Sequence, residues 1–473
     1  MGCASGSMKN KHEHADESVP HSVTDFIKLS TGQKAIQIGF TDQRVSGRAG
    51  LATVAGFLHW HRFGSLLAGW LPHRRTSPNA LAAGDLALGF VVGILAGARK
   101  LSQVSYLRRD VLLAPLLAIE RIGSQSSFSR FFQGFTGAGV NLRSFGPAWH
   151  WCLDRLRSRK GGYTLDLDST QLLHTGQQQE GVRLGYTPRG FKQCLHPLLA
   201  FVAEARLVAG FWLRPGHSRS DSNVVSFTLE LLSRLPRQVH LRLVRADSGF
   251  CHGDWLDLLE DQGLDYIVVA RLNRPVQRLL QHGLAWAPSE VPGTEVAELM
   301  HQEWGWRTAR RLILIRHRVA EKQRPTGKRL VDCPGYSYQG LVTSLPHRVR
   351  PMAVWRDYNG RADCENVIKE LDAHFGLPQL CLKKFWSTEA ALSLAVLSYN
   401  LCVLFQRHLG WLERVSASTL RFRLFTTGGI ISQTGGVQTI RLSVPAAERP
   451  WWRALFDKIT SPFPNCNAVD CFP

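Results

Sequence analysis

Through residues 51–135 apolar positions recur at helical spacing, in segments parted by breakers. Residues 51–67, 81–98 and 109–122 carry the pattern, with Pro72, Pro78 and Gly123 between them. Ser127-Phe-Ser-Arg130-Phe-Phe begins a further helix. After Gly161-Gly162 the period changes to two: Tyr163-Thr-Leu-Asp166-Leu-Asp168-Ser-Thr170 alternates apolar with polar, as a half-buried strand does. Residues 197–205, 207–213, 239–246 and 266–271 are predicted strands. Residues 223–235 and 254–262 are predicted helices, the first following the capping residues Ser220-Asp221-Ser222. The order is therefore β-β-β-α-β-α-β, and the first three strands can form an antiparallel meander. Residues 272–350 break this rhythm, with strand candidates at 305–320 and 340–344 among Pro, Gly and basic residues. Helical pattern resumes at Tyr358, and 385–409 reads as a long apolar helix. Residues 420–442 carry Gly-Gly turns at 428–429 and 435–436, and 34–40 offer one more strand.

These changes of pattern divide the chain. Residues 1–22 form a polar arm and 23–155 a mainly helical N-terminal region. Residues 156–271 are the first part of an α/β core, 272–350 an inserted β-rich subdomain, 351–410 the last part of the core, and 411–473 a helical/β C-terminal region. With 473 residues, 44% of them hydrophobic, several well-filled cores are possible.

Lysine and arginine outnumber aspartate and glutamate by 57 to 37, a net charge of +20. An excess of that size calls for a polyanionic partner, nucleic acid before all others. A membrane is the competing polyanion. The best candidate span, 81–98, holds Asp85 and four glycines, so it reads as a buried helix and no membrane is expected. Met1-Gly2-Cys3-Ala4-Ser5-Gly6 lacks the Ser or Thr at position 6 of a myristoylation site and the apolar run of a secretory signal. Ten cysteines without a Cys-x-x-Cys pair indicate neither a disulfide framework nor a structural zinc. A reduced, cytoplasmic setting is expected. The small basic helical region at the front is either a DNA-binding module or a structural cap.

A β-β-β-α-β-α-β order is that of the ribonuclease-H-like fold, in which the first and fourth strands lie side by side. Asp168 near the end of strand one and Asp247 at the end of strand four would then lie within reach of each other. The stretch Tyr358-Asn-Gly-Arg361-Ala-Asp-Cys-Glu365-Asn-Val-Ile-Lys369-Glu-Leu-Asp372 adds a third carboxylate. On one continuous helix, Arg361, Glu365, Lys369 and Asp372 fall at about 300°, 340°, 20° and 320° from Tyr358, a single narrow face. Such a face either delivers charge into a site or is a solvated row of ion pairs. Asp168, Asp247 and Glu365 together would be three hard oxygen ligands suited to Mg²⁺ or Mn²⁺. Two such ions suit in-line phosphodiester chemistry.

The motifs Asp168-Ser-Thr170, Arg245-Ala-Asp247-Ser-Gly-Phe250 and the Tyr-Asn-Gly-Arg…Glu-Asn…Ile-Lys-Glu stretch together resemble the DDE transposases of bacterial insertion sequences. They look closest to the insertion-sequence thirteen-eighty family, in group 1. Supporting stretches are Gly185-Tyr186…Gly190, His196-Pro197-Leu-Leu-Ala-Phe, Leu213-Arg214-Pro215-Gly216, and Leu382-Lys-Lys-Phe385…Ala391…Tyr399-Asn400-Leu401. The resemblance spans roughly residues 80–445. It implies a ribonuclease-H-like mixed-sheet catalytic domain interrupted by a β-rich insertion, flanked by an N-terminal helical DNA-binding region and a C-terminal region.

It further implies a transposase that binds terminal inverted repeats, cleaves at the element ends and transfers 3′ ends to target DNA. Asp168, Asp247 and Glu365 would be catalytic and hold two Mg²⁺ or Mn²⁺ ions. Asp166, on the same strand face, is the alternative first aspartate or a supporting residue. Tyr358, Arg361 and Lys369 would contact DNA phosphate. The related signature has Lys seven residues after its Glu, where this chain has Asp372. Trp304 or Trp306 would stack on a flipped base, and a homodimer on DNA in a bacterial cytoplasm is implied. His196, His217 and His374 read as structural. The rival readings are a nuclease of the same fold that only hydrolyses, and a catalytically inactive DNA-binding protein derived from a transposase.

Overall fold

The computed structural model describes residues 27–462 apart from 32–33, 74–76, 78, 177, 188–189, 282, 319–334 and 412. The expected arm, 1–22, lies outside the described residues. The chain divides into two units, Met1–Arg44 and Val45–Pro473. The first contains an antiparallel hairpin, Ile27–Thr31 with Lys34–Ile38.

The second unit is built on a sheet of nine described strands. Its main strands are β1 (Tyr163–Ser169), β2 (Leu198–Val202), β3 (Leu207–Trp212), β4 (Leu241–Ala246), β5 (Asp265–Val269), β6 (Thr294–His301), β7 (Arg310–Arg318) and β8 (Tyr336–Thr343). The spatial order is Ala287–Pro288, β6, β7, β8, β5, β4, β1, β2, β3. Strands β1, β4 and β5 run parallel, and the remaining pairs are antiparallel. The meander β1-β2-β3 beside parallel β4 and β5 is the arrangement expected from the order of elements. The described strands of 272–350 belong to the core sheet and not to a sheet of their own: β8 pairs with β5, and the others follow beyond it.

Strand periodicity sorts the two faces of the sheet. Leu165, Leu167, Val244, Ala246 and Val268 point into the main hydrophobic core. On the opposite face Leu243, Ile267, Ile313, Ile315 and Leu341 form a second cluster with Val354, Trp355 and Tyr358. Asp166 pairs in register with Arg245, which follows Leu243 by two, so Asp166 and Asp168 belong to this second face.

Helices α1 (Ala83–Leu95) and α2 (Ala138–Leu153) come before the sheet, α3 (Val224–Ser233) and α4 (Gly253–Asp261) within it, and α5 (Pro351–Asn359), α6 (Ala362–His374) and α7 (Phe385–His408) after it. Helix α7 is long and apolar enough to cross a membrane, yet its whole apolar window is buried in protein. It packs on α1, α2 and β3. Within it, the Asn400 amide hydrogen-bonds both backbone groups of Val208, at 2.9 and 2.8 Å. The N-terminal helices therefore share one core with the sheet. Near the C-terminus the Gly435-Gly436 turn joins Gly429–Thr434 to Val437–Leu442. Both glycines have positive φ, which a two-residue hairpin of this hand requires.

The stretch read as one helix from Tyr358 onward is in fact two, with the joint at Gly360-Arg361. Arg245 lies directly under this joint. A Cβ on Gly360 would stand 2.7 Å from Arg245 Nη1, and that guanidinium also donates to the carbonyl of Asp357. A larger residue there would displace the Arg245 guanidinium, so the joint and this buried side chain from β4 are fitted to each other. Tyr358 thus lies in the last turn of α5, Arg361 caps α6 at the joint, and Glu365, Lys369 and Asp372 run along α6.

Candidate active site

Parallel pairing of β1 and β4 places their C-terminal ends together, and Asp168 and Asp247 stand there. Asp168 is 9% exposed. Its Oδ1 accepts from the Ser169 amide at 2.8 Å and stands 3.1 Å from Arg361 Nη2 in an ion pair, and its Oδ2 accepts from the Cys364 thiol at 3.5 Å. Arg361 also donates to the Leu167 carbonyl at 3.1 Å. The first turn of α6 therefore closes over the end of β1. Asp247 begins a tight turn, its Oδ1 accepting from the Gly249 amide at 2.9 Å. Arg271 holds that turn through the Ser248 and Gly249 carbonyls.

Electrostatics match this crowding. Burial raises the Asp168 pKa, and the Asp247 charge raises it further against the opposing Arg361. Two carboxylates that repel in a poorly solvated corner favour a cation there. Burial pushes the Tyr358 phenol up to about 12, so it is a hydroxyl donor facing the same two aspartates.

Asp166 has a different task. It is almost wholly buried and takes two bonds from Arg245, 2.7 Å from Nε and 2.9 Å from Nη2. Both its oxygens are committed to an ion pair that supports the α5–α6 joint, which leaves Asp168 as the aspartate at the open end of the strand.

His196, read from sequence as structural, touches the site. Its Nδ1 lies 2.6 Å from the Ser218 carbonyl and its Nε2 3.0 Å from Ser169 Oγ. A carbonyl only accepts, so Nδ1 carries the proton and Nε2 accepts from the serine. Burial lowers the His196 pKa, which keeps the ring neutral and this pattern intact. Ser169 Oγ in turn meets Ser220 Oγ at 3.2 Å. Arg214 organises the loop opposite, donating to the carbonyls of His196, Arg219, Ser220 and Ser222. The missed signals were the residue after Asp168 and the His-Pro and Arg-Pro-Gly motifs, none of which has ligand spacing in sequence.

The other expected residues are spread along one edge. Glu365 is exposed, one turn beyond Arg361 on α6, and Lys369 is exposed one turn further. Among the described residues no group of three His, Cys, Asp or Glu side chains converges as a ready metal site. The first turn of α6 instead sets Arg361 and Cys364 against Asp168. The carboxylates of Asp168 and Asp247 suit a hard divalent cation chemically, while Glu365 stands exposed on α6 and is not gathered with them in a three-ligand group. Asp372 is partly buried, burial pushes its pKa up to about 6, and its Oδ1 has no hydrogen-bond partner. The two tryptophans separate. Trp306 is buried under Arg310, whereas Trp304 is fully exposed. Their turn lies against the start of α4, where a Cβ on Gly253 would be 2.5 Å from the Gly305 carbonyl oxygen.

Among known proteins, the model of the family described as transposase DDE domain, group 1, matches residues 29–462. A solved piggyBac transposase synaptic complex with hairpin DNA is similar at 12% identity and a TM-score of 0.38. That match covers 90% of this chain and 84% of that one, a likeness too distant to say more about this protein. No curated protein matches the chain.

Proposed function

From the premise that this chain belongs to the group 1 DDE transposase family and is a DDE-type DNA transposase, we propose that it serves a bacterial insertion sequence of the thirteen-eighty kind. It binds the terminal inverted repeats, cuts at the element ends and joins the 3′ ends to target DNA. The observation that carries this reading is the meeting of Asp168 and Asp247 at adjacent parallel strand ends, under Arg361 and Tyr358.

Asp168, Asp247 and Glu365 would hold Mg²⁺ or Mn²⁺. When bound, a pair of such ions activates the attacking oxygen and stabilises the leaving one in an in-line displacement. The protein's own part is positioning. Arg361 neutralises Asp168 until DNA arrives and then passes to a backbone phosphate, for which a guanidinium is well shaped. Tyr358 donates its hydroxyl to the same strand, and Lys369 contacts phosphate further along α6. The Ser169–His196–Ser218 chain fixes the end of β1, so that Asp168 keeps its orientation. Trp304, exposed beside the loop that follows Asp247, is the residue placed to stack on a base. The helices of 23–155 contribute DNA contacts, and two copies of the chain hold the two ends.

A second reading, binding without chemistry, is favoured by Asp372 in the lysine position and by the Arg361–Asp168 pair. One experiment separates these readings. Purified protein is given Mg²⁺ and a supercoiled plasmid bearing the element ends. Strand-transfer products that vanish in Asp168→Asn and Asp247→Ala support transposition. Nicking without joining indicates a nuclease, and an end-specific gel shift without nicking indicates a binding protein. Products unchanged in both variants would remove the proposed metal site.

A further inference from the structure

Between β1 and β2 the chain leaves the core as a hairpin, Arg183–Thr187 paired with Gly190–Leu195. Its root is tied to the site. Leu172-Leu173, four residues past Asp168, pairs with Leu195 and Cys194, and the next residue, His196, bonds Ser169. Leu172 and Leu195 are buried in the main core, so the arm is rigidly based. Tyr186 pairs with Phe191 four residues beyond that root, about 13 Å out at strand rise.

The two faces of the arm differ. On one, Gly185 and Cys194 lie under Gly216: a Cβ on Gly185 would come within 2.1 Å of the Gly216 carbonyl oxygen, and Cys194 donates to that oxygen. The other face is bare. Leu184, Tyr186 and Phe191 share it, at 57%, 71% and 70% exposure, and the two rings meet edge to face at 5.8 Å. Aromatic surface of this kind costs solubility unless something covers it. The charge around it says what that is. No carboxylate occurs between Gly181 and Leu195, and Arg183 and Lys192, paired with Cys194 and Gly185 on the opposite face of the same ribbon, are both exposed. A polyanion with apolar surface between its charges, stacked bases between phosphates, fits that combination.

We propose that this arm is a wedge. On DNA engaged at Asp168, the Tyr186–Phe191 pair enters the groove and unstacks a base step flanking the cleaved bond, while Arg183 and Lys192, on the other face of the ribbon, hold phosphates on that side. The inference rests on the transposase reading and adds to it the residues that deform the substrate.

The test uses the full chain and a 40-base-pair duplex of the element's own end, with 2-aminopurine at steps flanking the cut. Wild-type binding raises the fluorescence. Y186A/F191A, with an unchanged melting temperature, loses that rise and cuts the intact duplex about tenfold more slowly, the scale of one lost base–aromatic stack. It regains the rate on a duplex mispaired at that step, and Y186F keeps the wild-type signal. A double variant with wild-type fluorescence and cutting overturns the wedge while leaving the transposase reading intact. So does a double variant that differs from wild type in self-association without DNA, since the bare face would then belong to a second copy. Wild-type protein that neither binds nor cuts the end overturns both.

Discussion

Replacing Arg245 by methionine isolates the buried ion pair under the α5–α6 joint. The two side chains are 8% and 1% exposed, and the pair is bidentate. Removing one partner of such a pair costs about 3–5 kcal/mol, because the other charge stays buried and uncompensated. Against a typical total stability of about 5–15 kcal/mol, that is a large share. The cost is pH-dependent, and its sign follows from Asp166. Burial already raises the Asp166 pKa, with Arg245 the main opposing influence. Without Arg245 it rises further, so the folded state binds a proton that the unfolded state has released. The Asp166 penalty is absent below the unfolded carboxylate pKa and grows as pH climbs through the folded value. Urea unfolding of wild type and R245M at pH 8 and pH 5 should show a wide gap that narrows in acid. The double variant D166N/R245M should recover part of the loss at pH 8, short of wild type because the bond to the Asp357 carbonyl is gone. A gap equal at both pH values, with no recovery in the double variant, would refute the reasoning. The same variants separate the aspartates: D166N should retain excision activity that D168N loses.

Three further outcomes follow from burial. Trp306→Ala should cost about 3–5 kcal/mol in urea unfolding, whereas Trp304→Ala should leave stability unchanged and weaken cutting of end DNA. Burial pushes Glu389 up to about 7 despite hydrogen bonds from Asn141 and the Leu213 amide. Its share of stability is therefore complete below about pH 4 and falls by about 3 kcal/mol as pH rises past 7. Glu389→Gln should flatten that decline, and identical pH slopes would contradict the assignment. Deleting residues 1–150, which the sequence pattern alone would allow without harm to the sheet, should abolish folding, read as loss of the cooperative melt. Those residues supply α1 and most of α2 to the surface that buries α7.

Local pattern was enough for most elements. Period-two alternation marked β1, residues 239–246 read as a strand, and the order of strands and helices foretold that the two ends would be neighbours, because each reading depends only on nearby residues. The same alternation left Asp166 and Asp168 equivalent. They became distinct only when β4 came alongside and Arg245 took one of them. Continuous helical spacing from Tyr358 to Asp372 was equally misleading, since the joint at Gly360-Arg361 packs on a guanidinium from 115 residues earlier, which no local spacing announces.

The identity of the chemistry-bearing residues, the basic character of the chain and the succession of elements are properties of short stretches, and they could be read in one dimension. Which carboxylate is neutralised, which tryptophan is covered, and whether the front helices stand alone are long-range matters. Each depends on what a distant segment places within a few ångströms, and burial and charge pairing between such segments have no signature in the spacing of either one.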